Sequence, residues 1–174
     1  MNGISSLENT TVVVTGATGF IGSHLVDYLV EYGCTVHALV RETSDQKWLN
    51  KSDQVKVYVV DLLQASPIPC LQEADYLFHC AGLTKAKTRD DYFFGNVNTC
   101  ETLYERCVAI GTNLKAIIHL SSLAAAGPSV QGEPVQEKNS CKPVTYYGES
   151  KLAGEKIALK FASQLPIVVI RPPV

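Results

Sequence analysis

Thr11-Val12-Val13-Val14-Thr15-Gly16-Ala17-Thr18-Gly19-Phe20-Ile21-Gly22 runs a block of β-branched residues straight into three glycines. Valine and threonine fit a pleated, buried strand. Behind the glycines, Ile21, Leu25, Leu29 and Val30 recur at helical spacing. The stretch therefore reads as strand, tight turn, helix, and each glycine has a separate reason to be there. Gly16 permits the turn, Gly19 removes a side chain where backbone approaches a diphosphate, and Gly22 lets helix and strand pack closely. The helix start offers unpaired N–H groups and the positive end of its dipole to phosphate oxygens. Three glycines alone are weak evidence; their place after TVVV and before SHLVDYLV supplies the required context. The competing reading is a structural turn without a ligand.

The same alternation continues outward. Apolar runs occur at Thr11-Val14, Thr35-Val40, Val55-Val60, Tyr76-Cys80, Ala116-Leu120 and Ile167-Ile170. They are nearly continuous in hydrophobicity, as strands are when helices cover both sheet faces. Helix-like stretches lie at about Gly22-Tyr32, Thr88-Ile110 and Thr145-Ser163, the last with Leu152, Ile157, Ala158 and Phe161 at helical spacing. The pattern predicts an α/β fold: a Rossmann-type, doubly wound parallel sheet in three α/β/α layers, with strand order 3-2-1-4-5-6. The polar stretch Gly127-Pro143 contains Pro128, Gly132, Pro134 and Pro143 and reads as a long loop, a place where function often resides.

Composition narrows the class. The 174 residues are 46% hydrophobic and 18% charged, which describes one globular domain over 1–174. A formal net charge of -2 gives no broad attraction to nucleic acid or an anionic membrane. The cysteines at 34, 70, 80, 100, 107 and 141 form no CxxC pair and read as reduced thiols. His24, His37, His79 and His119 lack metal-ligand spacing, so no metal is expected. The start MNGISSLENT is unlike a signal peptide, and no apolar run approaches the ~20 residues that cross a bilayer. These features predict a soluble cytoplasmic protein.

The segment TGATGFIG has the spacing GxxGxxG and resembles the fingerprint of the extended short-chain dehydrogenases/reductases, the group of nucleotide-sugar epimerases and dehydratases. The resemblance implies a nicotinamide dinucleotide held by Gly16, Thr18, Gly19, Phe20, Ile21 and Gly22. An acidic residue closing the second strand would favour NAD. By resemblance that position falls on Val40, and Arg41 follows with Ser44 nearby. A guanidinium there can pair with a 2′-phosphate, so NADP is favoured over NAD. Glu42 opposes it, and Arg41 can also be read as a solvated strand-end residue. The resemblance places Asp61 and Leu62 at the adenine, although Asp61 reads equally as a cap for the next turn. It places Ala81 and Gly82, small residues after the fourth strand, beside the nicotinamide ribose. Asn96 resembles the family's helix asparagine, with Thr99 where a glycine is usual.

Tyr147 and Lys151 stand at i and i+4 and share a helix face. A free tyrosine has a pKa of about 10, and a neighbouring ammonium favours the phenolate. Tyr146 lacks such a partner because position 150 is Ser. By resemblance Ser122, at the end of the fifth strand, is the catalytic hydroxyl, Ser121 its neighbour, and Ser122, Tyr147 and Lys151 the catalytic set. Lys151 can also hydrogen-bond the nicotinamide ribose, which places Tyr147 and Lys151 among the cofactor-binding residues as well. Ala125-Ala126-Gly127 replaces the family's Val-Tyr-Gly, which removes an aromatic from the pocket wall.

The resemblance implies hydride transfer at a hydroxyl or carbonyl carbon, with a nucleotide-sugar as the leading substrate class. An NADP-dependent carbonyl reductase similar to dihydroflavonol reductases is the alternative. A non-catalytic NADP-sensing regulator is a third reading, against which Tyr147 and Lys151 argue. Helices near Thr88-Ile110 and Thr145-Ser163 form a homodimer interface in many relatives, or here only cover the sheet. Arg171-Pro172-Pro173 opens the family's passage into the substrate-binding half, which the sequence is therefore expected to lack, either as a piece of a longer protein or as a natural short form.

Overall fold

Six strands pair in parallel in the order β3-β2-β1-β4-β5-β6. The computed structural model describes residues 7–64, 66–129 and 133–173. The strands are β1 (Thr11–Thr15), β2 (Thr35–Val40), β3 (Val55–Val59), β4 (Tyr76–His79), β5 (Ala116–Leu120) and β6 (Ile167–Ile170). The helices are α1 (Phe20–Glu31), α2 (Arg89–Phe93), α3 (Thr99–Ala109) and α4 (Tyr146–Phe161). Every strand expected from the apolar runs is present, and the expected order is the observed one.

Successive strand side chains point to opposite faces, and β1 shows why the runs are continuous. Val12 and Val14 join Val26 and Leu29 of α1 on one side. Val13 joins Leu77, Leu103, Tyr104 and Ile117 on the other. All three valines are fully buried, and each burial contributes roughly 1.5–3 kcal/mol. The edges differ from this expectation: Val57 and Val59 of β3, and Val168 and Ile170 of β6, are exposed. In register, Thr15 lies opposite Leu39 on β2 and His79 on β4. The carboxyl ends of these strands are therefore level where the order reverses, which is where such sheets open a crevice.

The expected single helix over Thr88-Ile110 is broken. It consists of α2, a π-helical turn over Phe94–Asn98, and α3. Thr88 starts α2 with a reciprocal capping box to Asp91. The buried Asn96 explains the wide turn. Its Oδ1 accepts the Leu83 N–H at 2.6 Å, while its Nδ2 donates to the Leu83 carbonyl at 3.0 Å and to Ser150 Oγ at 2.9 Å. An extra residue in the turn directs this amide inward.

Within the expected loop Gly127-Pro143, residues 130–132 (Val, Gln, Gly) lie outside the described residues. The described remainder has no helix or strand and is tied back by Lys142 N–H to the Ala126 carbonyl at 2.8 Å. Residues 1–6, at the start of MNGISSLENT, also lie outside the description. Among the described residues, no helix is long and apolar enough to cross a membrane.

Candidate cofactor cleft and catalytic site

The crevice is a cavity of about 460 Å³, within the ~300–1,000 Å³ range of small-molecule and cofactor sites. Its floor is the glycine turn. Gly16 has φ +67, which a side chain rarely tolerates, and a Cβ there would lie 2.7 Å from Ala81 N. A Cβ on Gly22 would lie 2.1 Å from the Gly16 carbonyl oxygen. The turn and α1 can approach this closely only without those side chains. Gly19 caps α1 with no side-chain hydrogen bond and no acidic residue follows in the first turn, so the helix N-terminus is open to an anion.

The structure brings Gly16, Thr18, Gly19, Arg41, Asp61, Leu62, Ala81 and Gly82 into the cleft wall. Phe20, Ile21 and Gly22 are not among the lining residues. Phe20 is 82% exposed, and Gly22 acts from beneath the turn. Sequence reading missed Thr43, Asp45, Leu83 and Thr99, which also line the cleft. Val40 is buried where the acidic residue would stand. Arg41 and Ser44 form a closed turn: Arg41 N–H donates to Ser44 Oγ at 3.1 Å, and Ser44 N–H to the Arg41 carbonyl at 2.9 Å. Glu42, the residue that opposed NADP in the sequence, is absent from the lining, whereas Asp45 is present. Asp61 does serve as a cap, its Oδ1 accepting the Leu63 N–H at 2.9 Å. Asp61 also lines the cleft.

Ser122 follows β5 directly and Lys151 reaches its end, while Tyr147 stands one turn before Lys151 on α4. The helix α4 begins at Thr145, whose Oγ1 accepts the Gly148 N–H at 3.0 Å. A Cβ on Gly148 would lie 2.4 Å from the Ala124 carbonyl oxygen, so α4 presses directly on the short 3-10 turn Leu123–Ala125 that follows Ser122. Ser122 is buried, and its Oγ accepts the Ala124 N–H at 3.1 Å. That bond occupies a lone pair and leaves the hydroxyl proton to donate. Ser121 faces elsewhere: its hydroxyl donates to Glu155 on α4. Lys151 is buried, and its Nζ donates to the Leu120 carbonyl at 2.7 Å. The same Nζ lies 3.7 Å from the Cβ position of Gly82, at the cleft wall. Burial lowers the lysine's pKa, and the surrounding thiols and Glu155 oppose that shift. Tyr147 is half-buried on the first turn of α4, with its ring near that of Tyr92.

Beneath Lys151 the fold gathers two histidines and a cysteine that looked scattered in sequence. Ligand-type atoms of His79, Cys100 and His119 lie within 4.8 Å of one another. Thr15 Oγ1 accepts the Ala81 N–H at 3.1 Å and pairs with His79 Nδ1 at 2.8 Å. His79 Nε2 meets Cys100 Sγ at 3.2 Å, and that thiol donates to the Asn96 carbonyl at 2.9 Å. The hydroxyl of Thr15 thus donates to Nδ1, and Nε2–H donates to sulfur. Burial, reinforced by Lys151, brings His119 down to about 4, and burial raises the Cys100 thiol to about 12. The group is therefore neutral at physiological pH, an uncharged polar layer under the lysine. Cys100 and the other five cysteines are free thiols.

A second, partly buried contact ties the end of β6 to α4. Arg171 forks onto Glu155, with Nε–Oε1 at 2.8 Å and Nη2–Oε2 at 2.6 Å. Burial pushes the Glu155 carboxyl up, but Arg171 and Ser121 outweigh it and hold the carboxyl below its ordinary range.

A parallel sheet reversing order at β1/β4 and a glycine turn under a cleft define a Rossmann-type dinucleotide-binding domain; Ser122, Tyr147 and Lys151 are not among the residues that line the cavity. The chain belongs to the NAD dependent epimerase/dehydratase family, whose profile matches residues 12–174. It is 30% identical to the UDP-glucose 4-epimerase of Vibrio cholerae over 173 residues, covering 93% of this chain and 51% of that protein. It is 26% identical to the mouse sterol-4-alpha-carboxylate 3-dehydrogenase, decarboxylating, over 161 residues, or 91% of this chain and 42% of that one. Among solved structures, the UDP-glucuronic acid 4-epimerase from Bacillus cereus, in complex with NAD, superposes with a TM-score of 0.81 at 26% identity. That match covers 94% of this chain and 56% of the other. The chain thus spans about half the length of these relatives.

Proposed function

We propose that this chain forms the cofactor-binding and catalytic half of an NADP-preferring enzyme that moves hydride at a hydroxyl or carbonyl carbon of a nucleotide-linked sugar. The observation that carries the reading is that Lys151 Nζ reaches the end of β5 and comes within 3.7 Å of the Cβ position of Gly82, in the wall of a cleft floored by the glycine turn. Gly16, Thr18 and Gly19 would hold the diphosphate, Asp61 and Leu62 the adenine, and Ala81 and Gly82 the nicotinamide ribose. When bound, the nicotinamide supplies the site that accepts or returns hydride. Tyr147 takes or gives the proton of the substrate hydroxyl at its phenolic oxygen. Ser122 donates its free proton to the same substrate oxygen, and Lys151 steadies the phenolate with its charge. The likeness to UDP-sugar epimerases supports the sugar substrate.

Arg41 supports NADP, since it stands at the cleft beside buried Val40 with its turn closed by Ser44. It also keeps the carbonyl reductase reading in play, and a putative dihydroflavonol 4-reductase of Synechocystis is 31% identical over 163 residues. Calorimetric titration with NADP⁺ and NAD⁺ at equal salt tests the cofactor. Tighter NADP⁺ binding is expected, and tighter NAD⁺ binding would remove Arg41 from that role. For the chemistry, Tyr147→Phe in the full-length protein should lower hydride transfer by about 10²–10⁴ with little change in cofactor affinity. Equal turnover by the variant would eliminate Tyr147 as the acid–base group. A nucleotide-sugar panel run against a ketone panel separates the two substrate classes, and a wild-type protein without substrate-dependent hydride transfer would support a sensor.

A further inference from the structure

Arg106 is a buried cation that no carboxylate among the described residues pairs with. It sits on α3 at 6% exposure. Arginine is seldom buried this far without a pair, because the desolvation of its charge must be offset. Its Nη2 reaches the carbonyl oxygens of Asp61 and Leu62 at 3.3 and 3.4 Å. Its Nε and Nη1 are buried without a hydrogen-bond partner. Among the described residues, the guanidinium is therefore hydrogen-bonded to two successive carbonyls and to nothing else. Those carbonyls belong to the turn after β3, whose other side lines the cleft through Asp61, Leu62 and Leu63.

We propose that Arg106 is the positioning residue of the cleft's base-binding end, fixing the turn that presents the Asp61 carboxylate and the Leu62 N–H side by side. This rests on the reading of the cleft as a dinucleotide site. An acceptor next to a donor matches a base edge carrying an amino group next to a ring nitrogen lone pair, which is adenine's Watson–Crick edge. Hypoxanthine reverses that edge, with a carbonyl beside a ring N–H, and so meets an acceptor with an acceptor and a donor with a donor. Asp61 Oδ1 is already used by the Leu63 N–H, which leaves Oδ2 for the base. The orientation of the pair then depends on the peptide planes at residues 61 and 62; Arg106 donates to the oxygen of each, and the Asp61 oxygen also accepts the Gln64 N–H at 3.2 Å.

The test compares NADP⁺ with its hypoxanthine counterpart, using calorimetry on wild type, Arg106→Met and Arg106→Lys. Wild type should prefer the adenine form by about tenfold or more, the worth of a hydrogen bond mismatched in a buried site. Arg106→Met should bring the two affinities to within about threefold while leaving that of nicotinamide mononucleotide unchanged. Arg106→Lys, which can still reach one carbonyl, should recover part of the discrimination, and it carries the test if the methionine variant does not fold. Loss of both affinities in proportion, or no change in the ratio, makes Arg106 a packing residue and overturns the proposal. So does a wild type that binds both dinucleotides equally. A wild type that binds neither removes the cleft reading itself, and this inference with it.

Discussion

Replacing Gly22 with alanine should damage both stability and cofactor binding, by an amount the turn geometry sets. The added methyl would lie 2.1 Å from the Gly16 carbonyl oxygen, 2.8 Å from its carbon and 3.0 Å from Ala17 Cα. Non-bonded carbons rest about 3.5–4.0 Å apart, so α1 and the turn must separate by roughly 1 Å. The atoms that must yield are main chain, and the same Gly16 oxygen already accepts the Gly19 N–H at 2.9 Å. No flexible side chain can absorb the clash. Overpacking of this kind costs about 1–3 kcal/mol. Displacing the phosphate seat should weaken dinucleotide affinity by at least about tenfold, one hydrogen bond's worth. Gly111→Ala is the internal control: Gly111 has φ +61, but nothing lies within 4 Å of its Cβ position. It should show only left-handed strain of about 1–2 kcal/mol and unchanged cofactor affinity. Urea denaturation at constant m-value gives the stabilities, and calorimetry gives the affinities. A Gly22→Ala protein within about 0.5 kcal/mol of wild type, the usual spread of a neutral surface change, with unaltered dinucleotide affinity would refute the reasoning.

Arg41→Ala should weaken NADP⁺ binding by about 10–100-fold, the loss of a charge-assisted contact of about 1.5–3 kcal/mol, and leave NAD⁺ nearly unchanged; equal losses for both would deny it the 2′-phosphate. His119 is neutral when folded, lowered to about 4 from 6.5, so the unfolded chain binds the extra proton between those values. Stability is therefore fully present above about pH 6.5 and falls as pH drops toward about 4. His119→Gln should flatten that slope in urea midpoints taken across the window, and an unchanged slope would assign it to other groups. Glu155, held below its ordinary range by Arg171 and Ser121, contributes stability above its unfolded pKa that is lost as pH falls through the folded one. Glu155→Gln should cost about 1–3 kcal/mol at neutral pH, the worth of a charge-assisted contact to a partly exposed arginine, and less in acid. A constant cost at every pH would show that the charge of Glu155 is not what stabilises.

The linear pattern contained more of this protein than the folded one added, but the two contributions differ in kind. The strand–turn–helix at Thr11–Gly22, the six apolar runs and the Tyr147/Lys151 spacing are local. Backbone propensity, side-chain period and steric room act within a few residues, so they are legible in order along the chain. The break at Phe94–Asn98 was not legible, because its cause is Asn96 bonding to Leu83 and Ser150, 13 and 54 positions away. The helix start, where Thr88 and Asp91 form a capping box, matches the expected boundary at Thr88. Sequence determined the fold class, the glycine turn and the candidates at positions 122, 147 and 151. Only the tertiary structure decided that His79, Cys100 and His119 share one buried layer, that Ser121 turns to Glu155 while Ser122 keeps a free proton, and that Arg106 grips the turn at Asp61. Each of these depends on strand register and helix docking, where packing brings distant positions together and no local period records the result.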